Sequence, residues 1–142
     1  MARVKVTIPE HTAFQTQLPV RITDLNYGNH MGNDALLSVL HEARVQLLQH
    51  FGYTELSIGG ASLIMADVAI EYKGEGFYGD VLTINMAFND ISKYGFDITY
   101  HVLNQNNKEV ARAKTGMLCF NYELRKLMTL PEEVKAKIET NA

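Results

Sequence analysis

The segment from Val20 to Asn33 reads VRITDLNYGNHMGN and joins a strand-like pattern to a helix-like one. Asparagine and glycine tolerate left-handed backbone, and aspartate and asparagine cap helices, so this composition is typical of a structural loop. The position of the segment supports a second interpretation. The free amides at the start of a helix carry a partial positive charge and can stabilise a carbonyl oxygen that gains negative charge. The segment is therefore either a loop or a polar site at a helix start.

Downstream of this segment, the sequence predicts one long amphipathic helix between Asp34 and Phe51. Apolar residues recur there at spacings of four, three, four and four, which is the period of one helical face. The face consists of Leu36, Leu40, Ala43, Leu47 and Phe51. Three further residues are expected to widen it, namely Leu37, Val39 and Leu48. Asn33 or Asp34 is expected to cap the start of the helix, and Gly52 to end it.

The rest of the chain alternates polar and apolar residues with the period of two that marks strands. The predicted strands span residues 14–22, 63–72, 81–88, 96–102 and 109–122. Short turns between the last four predict a meander of antiparallel pairs, since a parallel pair needs a long crossover. Pro131 opens a short charged helix, for which the sequence indicates no apolar surface to cover.

This order of elements predicts an α+β architecture in which one long central helix is wrapped by a curved five-stranded antiparallel sheet. A single long apolar helix must bury its face, and the sheet is the surface available for it. The chain of 142 residues is expected to form one domain, residues 1–142. Open sheet edges and a partly apolar outer face predict self-association into a homodimer or homotetramer.

Composition argues against several classes of function. The net charge of −3 at pH 7 lacks the basic excess of a nucleic-acid surface. The first twenty residues hold no continuous apolar stretch, and the run 61–66 is far too short for a membrane span, so we expect a cytoplasmic protein without membrane association. Cys119 is the only cysteine and is expected to be a packed thiol. The histidines lack metal-ligand spacing, so no metal is expected, and the sequence has no Gly-x-Gly-x-x-Gly motif and no phosphate loop, so no cofactor is expected.

The segment from Val20 to Asn33 resembles the strand-to-helix signature of the 4-hydroxybenzoyl-CoA thioesterase branch of the hotdog superfamily of acyl-CoA thioesterases. That signature has the form Arg-x-x-Asp-x-Asp-x-x-Gly-His-x-x-Asn. At the corresponding places the chain has Arg21, Asp24, Asn26, His30 and Asn33, with Gly28 one residue before the family glycine. Further similarity lies in residues 41–44, 68–72, 79–82 and 121–131, so the resemblance covers about residues 14–134.

The resemblance implies a hotdog fold whose dimer hydrolyses an acyl-CoA or acyl-carrier-protein thioester at its interface, by attack of a water molecule. It implies that Asn26 and His30 are catalytic and that Asp24, Gly32 and Asn33 bind the substrate. Backbone amides near Gly32 and Asn33 would polarise the thioester carbonyl. The chain departs from the family at Asn26, where the signature has its second acid. An amide cannot take a proton at neutral pH, although it can hold a water molecule or the thioester.

Structural roles stay open for the same residues. His30 is either a general base or a loop histidine, and Asp24 either binds substrate or fixes the loop. Glu42 and Asp67 are weaker candidates for a buried acid, and Glu42 is more simply explained as a helix residue paired with Arg44. The alternative function is a non-catalytic acyl-thioester binding or regulatory module, which the missing acid allows. A hotdog dehydratase is a third hypothesis.

Overall fold

The computed structural model describes residues 2–142, which form a six-stranded sheet, one long helix and one short helix. The strands are β1 (Phe14–Pro19), β2 (Ser62–Tyr72), β3 (Val81–Asn89), β4 (Gly95–Leu103), β5 (Glu109–Asn121) and β6 (Lys126–Leu127). The helices are α1 (Asn33–His50) and α2 (Glu132–Thr140), with a 3₁₀ turn at Ile22–Asp24. The predicted elements are thus present with small shifts at their ends, and the short strand β6 is added.

All strand pairs are antiparallel, and the strand order is β1-β3-β4-β5-β2, with β6 on β5. The predicted meander is wrong for β2, which pairs with β5 instead of β3. The neighbours of β3 are β1 and β4, so the β2–β3 connection, residues 73–80, crosses from the sheet edge to its interior. This connection bonds to the segment before α1. Met31 N–H donates to Gly76 O at 2.7 Å, and Val20 N–H donates to Asp80 O at 2.8 Å.

The sheet wraps around α1, as predicted. Four residues of the predicted helix face are at most 1% exposed, namely Leu36, Leu40, Ala43 and Leu47. They share one core with the inward residues of β3 and β4, among them Ile84 and Ile98. Val39 and Leu48 widen the buried face, whereas Leu37 stays 41% exposed, which corrects the prediction for that residue. The core lies between the concave side of the sheet and this one helix.

The two ends of α1 differ in how well the sequence predicted them. Gly32 is the N-cap and no side chain caps the helix, so the expected cap by Asn33 or Asp34 is wrong. Both residues lie inside the first helical turn. At the other end, Gly52 follows the C-cap residue with φ of 87°, a left-handed conformation that glycine adopts without strain.

Helix α2 covers one end of the core, although its sequence indicated no apolar surface to cover. Val134 is fully buried and Ile138 is 3% exposed, and both belong to the core. Their spacing of four residues puts them on one face of the helix. Lys137 flanks this face and helps to hold the helix in place, because its ammonium lies 4.7 Å from the centre of the Tyr53 ring and donates to Phe51 O at 3.1 Å.

The outer face of the sheet is polar at its centre, which corrects the predicted partly apolar surface. The strand register places His101 opposite Arg112, and Arg112 opposite Glu71. Glu109 accepts hydrogen bonds from Arg112 Nε at 2.6 Å and from His101 Nε2 at 2.8 Å. These bonds lower the pKa of Glu109 to about 2. A charged network therefore occupies this face.

Exposed apolar side chains lie instead on β2, at one edge of the sheet. A register shift between Met65 and Asp67 marks a bulge, which changes the face that the following residues occupy. Val68 and Tyr72 therefore share a face with Leu63, whereas the sequence predicted an unbroken alternation. On this edge strand Met65, Val68 and Tyr72 are between 41% and 47% exposed.

Candidate active site

The segment before α1 folds into a closed loop that fixes the start of the helix. Leu25 and Met31 form an isolated β-bridge, and Asn26 N–H donates to His30 O at 2.9 Å. Asn29 takes the left-handed backbone, with φ of 63°, that closes the turn between them. The loop interpretation of this segment therefore holds for its backbone, and the loop carries the candidate side chains.

Asp24 anchors this loop from inside. It is 4% exposed and accepts hydrogen bonds from Arg21 N–H at 2.8 Å, Arg21 Nε at 3.3 Å and Arg21 Nη2 at 3.1 Å. Burial raises the pKa of Asp24, but the bonds from Arg21 outweigh that effect, so the pKa lies below its usual value. Both carboxylate oxygens are thus engaged by Arg21.

Asn26 and His30 lie beside each other around Gly28. The Asn26 side-chain carbonyl accepts from Gly28 N–H at 2.8 Å, and a β-carbon placed on Gly28 would lie 3.2 Å from that oxygen and 3.4 Å from the His30 ring. His30 Nδ1 lies 3.3 Å from Met31 O. A carbonyl oxygen only accepts, so this contact requires a hydrogen on Nδ1, and in that tautomer of the neutral imidazole Nε2 carries the lone pair that can accept a proton.

The amides at the start of α1 divide into bonded and unbonded ones. Gly32 N–H donates to Asp24 O at 2.9 Å, so this amide is not available to a substrate. The first bond of the helix runs from Leu36 N–H to Gly32 O at 3.2 Å. The amides of Asn33, Asp34 and Ala35 therefore precede the intrahelical ladder. Among residues 2–142 no backbone acceptor bonds to the Asn33 amide, so of the two amides that the sequence indicated, that of Asn33 is left for a substrate.

A cavity of about 190 Å³ opens at this helix start. Its wall includes His30, Gly32, Asn33, Leu36, Tyr72 and Glu75. Three of the five predicted site residues line it, whereas Asp24 and Asn26 do not. Tyr72 donates its hydroxyl to Asn33 O at 3.2 Å, and burial together with the charge of Asp34 raises the pKa of that hydroxyl. Sequence reasoning missed Tyr72 and Glu75.

The remaining sequence candidates lie away from this cavity. Glu42 lines a separate exposed groove and accepts a hydrogen bond from Gln46 at 2.9 Å. Arg44 pairs with Glu55 instead, so the predicted pairing of Glu42 with Arg44 is wrong. Asp67 accepts from Lys114 at 2.8 Å and from the Gly116 amide at 3.0 Å. Cys119 is fully buried, which confirms the packed thiol, and burial raises its pKa to about 11. Within residues 2–142, no helix is long and apolar enough to cross a membrane.

Comparison with known proteins assigns the family. The sequence profile of the thioesterase-like superfamily matches residues 20–138. The chain belongs to the thioesterase-like superfamily. Of proteins with similar sequences, 1,4-dihydroxy-2-naphthoyl-CoA hydrolase of Synechococcus elongatus is 26% identical over 133 residues, which are 91% of this chain and 97% of the relative. Long-chain acyl-CoA thioesterase FadM of Escherichia coli is 25% identical over 127 residues, 88% of this chain and 96% of the relative.

Solved structures of thioesterase-like proteins share the fold. A 1,4-dihydroxy-2-naphthoyl-CoA thioesterase from Synechocystis superposes with a TM-score of 0.79 at 22% identity, over 88% of this chain and 94% of that one. The family match and this structural likeness confirm the resemblance and the predicted α+β hotdog fold. The chain therefore shares both its sequence profile and its architecture with thioesterases.

Proposed function

We propose that this protein is a thioesterase that hydrolyses acyl-CoA. One observation carries the proposal, namely that the unbonded Asn33 amide at the start of α1 adjoins a cavity that also includes His30. A helix N-terminus that faces a cavity suits a carbonyl oxygen that gains negative charge during acyl transfer. The names of the relatives support the same substrate class, because they are CoA thioester hydrolases.

In the proposed reaction, the thioester carbonyl oxygen accepts a hydrogen bond from the Asn33 amide. Water attacks the carbonyl carbon, and the helix start stabilises the oxyanion that forms. Loss of one such donor typically lowers kcat by about 10²–10³-fold. His30 lines the cavity and holds the attacking water or the sulfur end of the thioester. Asn26 lies beside His30, outside the cavity wall, and reaches the substrate through its NH₂ group. Asp24 and Gly32 act indirectly, since the bond from Gly32 N–H to Asp24 O fixes the helix start.

We further propose that residues 1–142 form a single hotdog domain that works as a homodimer or as a pair of dimers. The exposed apolar side chains of β2 lie on the strand that also contributes Tyr72 to the cavity wall. A second subunit on this edge would bury those side chains and enclose the cavity. The preferred substrate is an acyl-CoA, and an acyl-carrier-protein thioester is the other carrier to be tested.

Asn26 favours a second candidate, a hotdog module that binds acyl thioesters without hydrolysing them. The amide at this position cannot accept a proton, and its carbonyl is already engaged by Gly28 N–H. A module of this kind would keep the cavity and the Asn33 amide and lack turnover. Binding and hydrolysis therefore need to be measured on the same preparation.

The deciding experiment is a panel of aromatic, short-chain, medium-chain and long-chain acyl-CoAs, with release of free thiol as the measurement and acyl-carrier-protein thioesters as a parallel set. We expect saturable hydrolysis of at least one acyl-CoA, well above the enzyme-free rate. The binding of unhydrolysed acyl-CoA is followed by calorimetry. Binding without thiol release for every compound would overturn the thioesterase proposal in favour of the binding module.

A further inference from the structure

Hydrolysis by water requires a group that accepts a proton as the water attacks. The two positions of the family signature that hold acids do not supply one here. Asn26 is an amide, and the Asp24 carboxylate is buried and engaged by Arg21. Another acid must therefore reach the cavity at the start of α1, or the reaction depends on His30 alone.

Glu75 lines this cavity from the β2–β3 connection. The glycines on both sides of it are held tightly. Gly74 N–H donates to Val110 O at 3.1 Å, and Gly76 O accepts from Met31 N–H at 2.7 Å. A β-carbon on Gly74 would lie 2.8 Å from Glu109 O, and one on Gly76 would lie 3.2 Å from Met31 Cβ. The contact of Gly74 with a backbone oxygen leaves no room for a side chain, and that of Gly76 with Met31 is tight, so the backbone of Glu75 is held between two anchored residues.

The charge of Glu75 has no partner in the described part of the chain, residues 2–142. Two other acids on or next to this connection do have partners. Glu71 pairs with Lys73 at 2.9 Å, and Asp80 accepts from Phe77 N–H at 2.9 Å. No lysine, arginine or histidine within residues 2–142 forms an ion pair with Glu75. Glu75 is exposed to solvent, and its loop lines the same cavity as Gly32 and Asn33 at the start of α1, so its unpaired carboxylate is available for proton transfer.

We propose that Glu75 is the general base that activates the attacking water, an assignment that rests on the proposed thioester hydrolysis. As the water oxygen bonds to the carbonyl carbon, its proton moves to the Glu75 carboxylate, and the oxyanion is held by the Asn33 amide. Collapse of this intermediate breaks the carbon–sulfur bond, and Glu75 returns the proton to the leaving thiolate. The products are a carboxylic acid and free CoA thiol, and the Glu75 carboxylate is regenerated.

The test compares Glu75→Gln, Glu75→Asp and Glu75→Ala with the unchanged protein on the best acyl-CoA of the panel. Glu75→Gln should lower kcat by about 10²–10⁴-fold, the usual contribution of a general base, with KM changed only a few-fold. Glu75→Asp should retain more activity than Glu75→Gln, since it keeps the carboxylate. Added formate should restore part of the turnover of Glu75→Ala, which a purely structural role of Glu75 would not allow.

Two matched variants serve as controls. Glu123→Gln, at an exposed turn between β5 and β6, should keep full activity. Asp34→Asn changes the acid in the first turn of α1, which is outside the cavity wall. Suppose that the unchanged protein is active. If Glu75→Gln then keeps kcat within about threefold, or if only Asp34→Asn abolishes turnover, the assignment of Glu75 is wrong, although the thioesterase proposal stands. If the unchanged protein hydrolyses no thioester, both proposals fail.

Discussion

At the scale of single residues, Asn26 distinguishes this chain from the family signature. Its side-chain carbonyl accepts from Gly28 N–H, a bond that an aspartate at the same position would also accept. The loop backbone is held independently by the Asn26–His30 and Gly32–Asp24 bonds. The chemistry of the side chain can therefore be changed while the shape of the loop is kept.

We expect Asn26→Asp to leave thioester hydrolysis intact or to raise it, because the carboxylate adds a proton acceptor next to His30. Asn26→Ala should lower kcat by about 10²-fold, the cost of one hydrogen bond to the reacting group. Steady-state kinetics on both variants, at matched circular dichroism, measure the effect, and Asn106→Ala on an exposed turn is the control. Lower activity in Asn26→Asp than in the unchanged protein would show that the new charge repels the oxyanion.

The sequence predicted the site residues that are close together along the chain and missed those that are distant. His30 and Asn33 are three residues apart in one loop, so a local motif was enough to find them. Tyr72 and Glu75 reach the same cavity only because the β2–β3 connection bonds to Met31 and Val20. The sequence offers one signal, the pair of glycines that flank Glu75, and such a pair by itself indicates only a loop.

At the scale of elements, the strand β2 shows why the predicted meander failed. Alternation of apolar residues indicates a strand but contains no information about its partner. The connection of residues 73–80 is short enough for a hairpin, yet both neighbours of β3 are other strands. The bulge between Met65 and Asp67 also shifts the alternation within β2, and a bulge leaves little trace in residue types.

Helix α2 is the element whose role the sequence concealed, because its many charged residues surround only two buried apolar ones, Val134 and Ile138. We predict that Ile138→Ala lowers the free energy of unfolding by about 2–4 kcal/mol, since it removes a buried side chain and leaves a cavity. Urea denaturation followed by circular dichroism measures the change, and Lys135→Ala is the matched control on the same helix. Equal midpoints for the two variants would mean that α2 does not contribute to the core.

At the scale of the whole molecule, the two edges of the sheet have different surfaces. The β1 edge carries the exposed polar residues Gln15 and Gln17 and ends at Pro19, which lacks an N–H for pairing. The β2 edge exposes Met65, Val68 and Tyr72 instead. An exposed apolar edge strand is a template for another chain, so the surface of the molecule favours association through β2.

We therefore predict that the protein is a dimer or a pair of dimers at micromolar concentration and that Val68→Lys shifts it towards monomers. Val68 is 41% exposed on the single subunit, so the monomer tolerates a lysine at this position. In a dimer formed through β2 the same lysine would be a buried charge, which disfavours association. Gln17→Lys on the β1 edge should leave the assembly unchanged. Sedimentation velocity measures the mass of each variant. If a second subunit encloses the cavity, turnover of the same samples should fall as the dimer is lost. A wild-type protein that sediments as a monomer, or a Val68→Lys variant with the wild-type mass, would contradict association through β2.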